Sequence, residues 1–210
     1  MEKNSVEEIV ADVKLRLERA QFPIPAGVSN RHVHLTGENF KTLFGRNPEP
    51  SVLKHIGQPG QFACNETVAI ETQKGSFKNV RMIGPCRSYT QVEISSGDAK
   101  ILGIEPPIRD SGKIENSPGI KITGRKGSIV IPKGVIISKR HIHFSVSDAK
   151  KFKVLDGTEV RVRCGAGGER ETVFEKTLCR VSKDYALEFH VDIEEANAAG
   201  LKNGDMVYIV

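Results

Sequence analysis

VSNRHVHLTGENFKTL at residues 28–43 and ISKRHIHFSVSDAKKF at residues 137–152 are two versions of one pattern. Each runs hydrophobic residue, Ser, polar residue, Arg, His, hydrophobic residue, His, hydrophobic residue, and then a Ser or Thr that opens a short helical stretch. His141 follows His32 by 109 residues, so the chain carries an internal repeat, and a repeat sets the architecture before any other feature is read. In an extended strand, residues i and i+2 face the same side. His32 and His34 therefore project together, as do His141 and His143. Two imidazoles side by side on one face are a ready pair of ligands for a divalent metal. A lone His-x-His is a weak signal; here two repeat-related copies hold four of the six histidines in the chain.

A second pair of segments extends the repeat. SYTQVEISSGDAKILGI at 88–104 resembles DYALEFHVDIEEANAAGL at 184–201. Anchored on Gly103 and Gly200, Asp98 falls on Glu195, Ala99 on Ala196 and Glu93 on His190. The two pairs differ in offset, which places about twelve extra residues in the first half, and surface loops absorb such insertions at small cost. GRNPEPSVLKHIGQPGQ at 45–61 is where they are expected, and His55, inside it, has no counterpart and is expected to be no ligand. Glu93 sits in a strand pattern (QVEIS), and so does His190 (EFHVD). The alignment thus proposes two sites, His32, His34 and Glu93, and His141, His143 and His190. Three protein ligands with a fourth position open is the arrangement of catalytic zinc, although the same set suits other first-row metals.

Outward from these motifs the chain is a series of short β-rich segments. GVIISK, TEVRVRC, ETVFEKTLCRV, YALEFHVDI and GDMVYIV are bounded by Gly, Pro or Asp-Gly. NETVAIETQKGSFKNVRMIG reads as two strands around a Lys-Gly-Ser turn. The texture is mainly β, closer to small barrels than to a βαβ sheet, with short helices expected at 36–44, 96–102, 145–151 and 193–199. Before them, Val6, Ile9, Val10, Val13 and Leu17 recur at helical spacing over 5–20. Ser5 and Glu8 fit a capping box, and Pro23 and Pro25 stop the helix. That amphipathic helix either packs on its own domain or docks a partner through its apolar stripe.

Bulk properties exclude several classes. The 210 residues hold no long uncharged apolar run and no secretory signal, so neither a membrane partner nor export is expected. A net charge of +5 favours anionic partners, but aromatic residues are only 6% of the chain and the basic residues form no long run, so no nucleic acid is expected. Cys64, Cys86, Cys164 and Cys179 form no Cys-x-x-Cys pair and are expected to be reduced and partly buried.

GVSNRHVHL at 27–35 and SKRHIHF at 138–144, with GPCR at 84–87 and QVEIS at 91–95, resemble the signature of the phosphate propanoyltransferases, metal-dependent phosphotransacylases often linked to bacterial microcompartments. The likeness runs from Pro23 to Val210. It implies conversion of a short-chain acyl-CoA (propanoyl-CoA or acetyl-CoA) plus phosphate to acyl phosphate plus coenzyme A, and the reverse. It implies two interleaved β-barrels with two metal ions between them. The domains would be an N-terminal amphipathic helix at 1–20, a first β-barrel at 31–138, and a second at 139–210 joined by the strand at 21–30. Carried over residue by residue, the metal ligands fall on His32, His34, Glu93, His141, His143 and His190, and the phosphate-binding arginine on Arg87, which would also be catalytic. Two Zn²⁺, or another divalent first-row metal, would be the cofactors, with coenzyme A as substrate or product. Residues 1–20 would reach a microcompartment shell protein, the chain would form a homo-oligomer, and its setting would be the bacterial cytoplasm or a microcompartment within it, in propanediol degradation.

The chemistry asks for such groups. A metal with an open position stabilises charge on the thioester oxygen or on the departing sulfur, and the planar guanidinium of Arg87 suits a phosphate dianion. Coordinating histidines must be neutral, so activity is expected to fall as pH drops below the imidazole range. Arg31 and Arg140 precede the motifs and either touch an anion or serve the structure. Cys86 has no histidine base beside it in sequence, which disfavours an acyl-cysteine. Two other classes stay open: a two-metal hydrolase of thioesters or phosphoesters, and a non-catalytic assembly protein held together by metal.

Overall fold

The computed structural model describes residues 6–45 and 49–210. In chain order the elements are α1 (Val6–Arg19), β1 (Ile24–Ser29), β2 (His32–His34), α2 (Gly37–Phe44), β3 (Val52–His55), β4 (Phe62–Glu71), β5 (Ser76–Gly84), β6 (Gln91–Glu93), α3 (Ser96–Leu102), β7 (Ile108–Arg109), β8 (Ile120–Thr123), β9 (Ser128–Ile131), β10 (Val135–Ser138), β11 (His141–Phe144), α4 (Val146–Phe152), β12 (Glu159–Cys164), β13 (Thr172–Val181), β14 (Glu188–Asp192), α5 (Ile193–Ala199) and β15 (Met206–Ile209). The chain is mainly β, as its texture predicts, and divides into two compact units. One comprises the segment ending at Val28, Arg140–Val191 and Glu195–Val210; the other comprises Ser29–Lys139 and Asp192–Glu194.

In the first unit six strands close into a barrel in the order β1-β14-β11-β13-β12-β15. Antiparallel pairing of β1 with β15, Ile24 opposite Val207, is one of its contacts. Side-chain alternation fills the interior: along β14, Phe189 and Val191 are buried while Glu188, His190 and Asp192 are only partly so. Ile24, Ile142, Phe144, Phe152, Val162 and Phe189 form the core at zero exposure, each aromatic or branched side chain contributing roughly 2–3 kcal/mol by leaving water. Ser145 caps α4, its hydroxyl accepting from the Asp148 amide at 3.1 Å, and turns the chain sharply after the second His-x-His.

The second unit is a nine-stranded sheet in the order β7-β10-β6-β2-β5-β4-β8-β9, with β3 added on β4. It stays open rather than closing on itself. The hairpin β4–β5 turns at Thr72–Gly75, where the Thr72 amide donates to the Gly75 carbonyl at 2.9 Å. Its register shifts twice, between Ala63 and Thr67 and between Val68 and Ile70, and such irregularities bend a strand. Thr36 caps α2 and Ser95 caps α3, the latter through a full capping box with Asp98. Gly45 and Gly103 close the two helices in the left-handed region, where a side chain would be strained. The four expected short helices are therefore found as α2 to α5; residues 36 and 145 prove to be the caps that start two of them. Of the expected insertion, β3 lies exposed on β4, while residues 46–48 fall outside the described residues.

Helix α1 runs as its periodicity predicts, and Val6, Ile9, Val10, Val13 and Leu17 are all exposed. It is tied down at its end. The Arg19 side chain donates to the Phe152 and Lys153 carbonyls at 2.8 and 2.6 Å, and Lys153 pairs with Glu18. The expected Ser5 cap lies outside the described residues. No helix among the described residues is long and apolar enough to cross a membrane. The four cysteines are free thiols, Cys64, Cys164 and Cys179 buried and Cys86 half-buried.

Candidate metal centres

The first cluster lies wholly in the second unit. Strand β2 points Val33 into the core and puts His32 and His34 on the other face. Strand β6 runs antiparallel beside it, in a register that sets His32 opposite Glu93 and His34 opposite Gln91. His32 Nε2 lies 3.6 Å from Glu93 Oε2, and His34 Nε2 lies 3.7 Å from Glu93 Oε1. Each ring's other nitrogen is committed to a carbonyl: His32 Nδ1 sits 2.8 Å from the Asn30 oxygen and His34 Nδ1 3.1 Å from the Ile83 oxygen. A carbonyl only accepts, so each Nδ1 carries a proton, and in the neutral ring Nε2 presents the lone pair. Two lone pairs and a carboxylate thus converge at distances beyond a hydrogen bond. With both rings neutral, no donor stands between the two Nε2 lone pairs and the carboxylate, and a divalent cation is the group that would answer them.

Electrostatics agree. Burial lowers the His34 imidazole to about 4, with His32 and Arg87 acting in the same direction and Glu93 opposing, so the ring is neutral at ordinary pH. Burial would raise the Glu93 carboxyl, but positive charge on the His32 and His34 rings, when they carry it, and the Ser111 hydroxyl outweigh burial and hold it well below the usual carboxylate range; a cation between neutral rings would act in the same direction. Glu93 Oε1 accepts from Gln91 Nε2 at 2.6 Å and from Ser111 Oγ at 2.8 Å. Gln91 in turn donates to Ser111 Oγ at 2.9 Å and accepts from the Gly112 amide at 2.8 Å.

The second cluster lies wholly in the first unit and repeats the register. In the antiparallel pair β11–β14, His141 is opposite His190 and His143 opposite Glu188. Ring centroids of His141, His143 and His190 lie 4.6 to 5.0 Å apart. Burial first, then His141, His190 and Arg180, push the His143 imidazole far below the usual range, so it too is a neutral donor. Its Nδ1 is buried with no hydrogen-bond partner among the described residues, an orphaned polar atom that calls for a ligand. Tyr185 stacks on the ring at 4.1 Å between centroids. In each cluster one donor atom per residue lies within 4.8 Å of the others, a donor set that could hold zinc or a similar ion.

Arg87 stands beside the first cluster. Its side chain reaches Ser111 Oγ at 3.2 Å, Gln61 Oε1 at 3.3 Å and Tyr89 Oη at 3.4 Å, and its amide donates to the Leu35 carbonyl at 2.8 Å. Every side-chain partner is neutral, so its charge is matched by no carboxylate ion pair among the described residues. Cys86, beside it, is packed against the apolar core of its unit, and burial raises its thiol. His55 lies on exposed β3, edge-on to Phe62 and in neither cluster.

Arg31 and Arg140 turn out to be structural, and in the same way. Arg31 forks onto Asp98, at 3.0 and 2.7 Å, and lies 4.3 Å over the Phe77 ring. Arg140 pairs with Glu195 and lies 5.2 Å over Phe174. Asp98 and Glu195 are the residues that the repeat alignment equates. Each arginine clamps its histidine strand to the helix after the third-ligand strand. The side chains that the sequence reading missed are Gln91, Ser111, Glu188 and Tyr185. Strand alternation signals the first and third, two residues before Glu93 and His190; nothing periodic marks Ser111, in the loop after β7.

Comparison with known proteins converges on one family. The family model described as phosphate propanoyltransferase matches residues 25–202. A protein of Thermotoga maritima named phosphate propanoyltransferase is 52% identical, covering 93% of this chain and 92% of its own length. Proteins of the same name from Rhodopseudomonas palustris and Salmonella typhimurium are 48% and 46% identical, over 90% and 89% of this chain and 82% and 88% of their own. On the match over nearly its whole length, the chain belongs to the phosphate propanoyltransferase family.

Proposed function

We propose that this chain is a phosphate acyltransferase that uses two divalent metal ions, one in each unit, to interconvert a short-chain acyl-CoA and phosphate with an acyl phosphate and coenzyme A. The observation that carries this reading is the pair of convergent acceptor triads built by one repeated strand register. His32, His34 and Glu93 would hold one ion, and His141, His143 and His190 the other. Bound there, a divalent ion such as Zn²⁺ supplies Lewis-acid stabilisation for oxygen and a soft partner for thiolate sulfur.

The remaining work falls to the chain. Arg87 offers a guanidinium that no carboxylate among the described residues neutralises, suited to a phosphate dianion. Its contacts with Gln61 and Ser111 aim it, and Ser111 ties it through one hydroxyl to Glu93. A phosphate oxygen so held bonds to the thioester carbonyl carbon, and the carbon–sulfur bond breaks with its electron pair passing to sulfur. The proton of hydrogen phosphate ends on the coenzyme A thiol, which balances the exchange. Propanoyl-CoA and acetyl-CoA are the substrates this reading assigns. It also keeps residues 1–20 as a docking segment for a microcompartment shell protein, supported by the exposed stripe of α1, and the chain as a homo-oligomer of the bacterial cytoplasm or of such a compartment.

The test is thiol release from propanoyl-CoA by the full chain loaded with Zn²⁺. Release that requires phosphate and yields acyl phosphate is expected. Equal release in phosphate-free buffer would instead identify a hydrolase, and no release with metal bound would leave an assembly protein.

A further inference from the structure

We propose that Glu188 is the positioning residue of the second histidine cluster, supplying through His190 the negative charge that Glu93 supplies directly to the first. The inference rests on the two-metal reading and deepens it. Its ground is the doubled register. The position across from the second histidine of each motif is Gln91 in one sheet and Glu188 in the other. Each occupies the place two residues before the third ligand, hence the same strand face.

In each sheet that residue hydrogen-bonds the third ligand, with opposite polarity. Gln91 Nε2 donates to the Glu93 carboxylate at 2.6 Å, and the Glu188 carboxylate lies 2.7 Å from His190 Nε2. Where the ligand is an acid its neighbour is an amide; where the ligand is an imidazole its neighbour is a carboxylate. A carboxylate only accepts, so the Glu188 contact fixes the His190 proton on Nε2 and turns the Nδ1 lone pair free for a cation. Each cluster then has one carboxylate beside its imidazoles. A divalent ion in either would keep the same net charge toward anionic substrates, although the two ligand sets differ.

Gly27 gives independent support. A Cβ added there would meet Glu188 Oε1 at 2.9 Å and its Cδ at 3.0 Å. The repeat counterpart of Gly27 is Ile136, a fully buried side chain, so the architecture accepts a large residue at this place. Gly27 does not adopt a left-handed backbone conformation. Its missing side chain is explained by the room it leaves for the Glu188 carboxylate.

The experiment is a Co²⁺ titration of the metal-free full chain, read by visible absorbance with a competing chelator. Wild type is expected to bind two equivalents. In E188A one equivalent keeps wild-type affinity and the other weakens about 10- to 100-fold with an altered spectrum, the usual scale for losing a partner of a metal-bound histidine. E188Q keeps an acceptor oxygen and is expected to weaken that same equivalent about 10-fold; G27A shifts it in the same direction. E188Q decides the matter should E188A fail to fold. Two equivalents of wild-type affinity and spectrum in E188Q overturn the inference, and so does outright loss of one, which would make Glu188 itself a ligand. Wild-type protein that takes up no cobalt would instead refute the two-metal reading.

Discussion

Replacing Arg31 by alanine should destabilise the protein by about 3 kcal/mol, because it strands a charge. Asp98 is buried and receives two hydrogen bonds from the Arg31 guanidinium. Breaking a buried pair by removing one partner costs ~3–5 kcal/mol. Two features place this case at the lower end: the Arg31 side chain is one-third exposed, and Asp98 still accepts from the Ser95 amide at 3.3 Å. Loss of the contact over Phe77 adds a fraction of 1 kcal/mol, roughly the worth of an exposed cation–π pair. With a urea slope of about 2 kcal/mol/M, the midpoint followed by far-ultraviolet circular dichroism should fall by about 1.5 M. Arg140→Ala should cost less, about 1–2 kcal/mol, since the Glu195 side chain is 22% exposed against 5% for Asp98. The decisive comparison is Arg31→Ala with Asp98→Asn, which removes the stranded charge and should recover part of the loss. A shift below about 0.5 M for Arg31→Ala, or a double variant less stable than the single one, would refute the reasoning.

Three further outcomes follow from the site. The folded His34 titrates at about 4 against 6.5 unfolded, so on acidification the unfolded chain takes its proton first. This contribution is whole above about pH 6.5 and lost progressively down to about pH 4, some 3 kcal/mol in all; metal-free His34→Asn should show a correspondingly flatter urea-midpoint profile, and parallel profiles would refute the assignment. Arg87→Ala should lower kcat/KM for phosphate about 10²–10³-fold, with Arg87→Lys between, while the urea midpoint stays near wild type; unchanged steady-state kinetics would remove Arg87 from the site. Burial raises the Cys64 and Cys164 thiols to about 12 and Cys179 to about 11. Iodoacetamide at pH 8 should therefore modify half-buried Cys86 first, the other three reacting at the rate of unfolding, and mass spectrometry that finds uniform labelling would contradict this.

Local signals were the legible ones. The Ser or Thr after each histidine motif, Thr36 and Ser145, and period-two alternation locate short helices and strands, and aligning the two halves brings Glu93 and His190 to their clusters without any knowledge of the fold. What escaped is long-range or irregular. The Arg31–Asp98 contact spans 67 residues, and sequence offers only the equivalence of Asp98 with Glu195 as a hint. Ser111 reaches Glu93 from a loop whose path depends on the short strand β7. That one sheet closes while the other stays open is decided by long-range strand pairing, which alternation of residue types does not encode.

The shared pairing of β2 with β6 and of β11 with β14 makes assembly of each cluster inseparable from correct strand alignment. A slip by a single residue would present Val33 or Ile142 where imidazoles belong and send histidines into the hydrophobic interior. An ion captured by both strands would therefore act as a lock on alignment during folding, rewarding only the correctly registered pair of strands that lie far apart in sequence. Metal supply would then govern how much correctly folded chain accumulates, not merely how much of it is active.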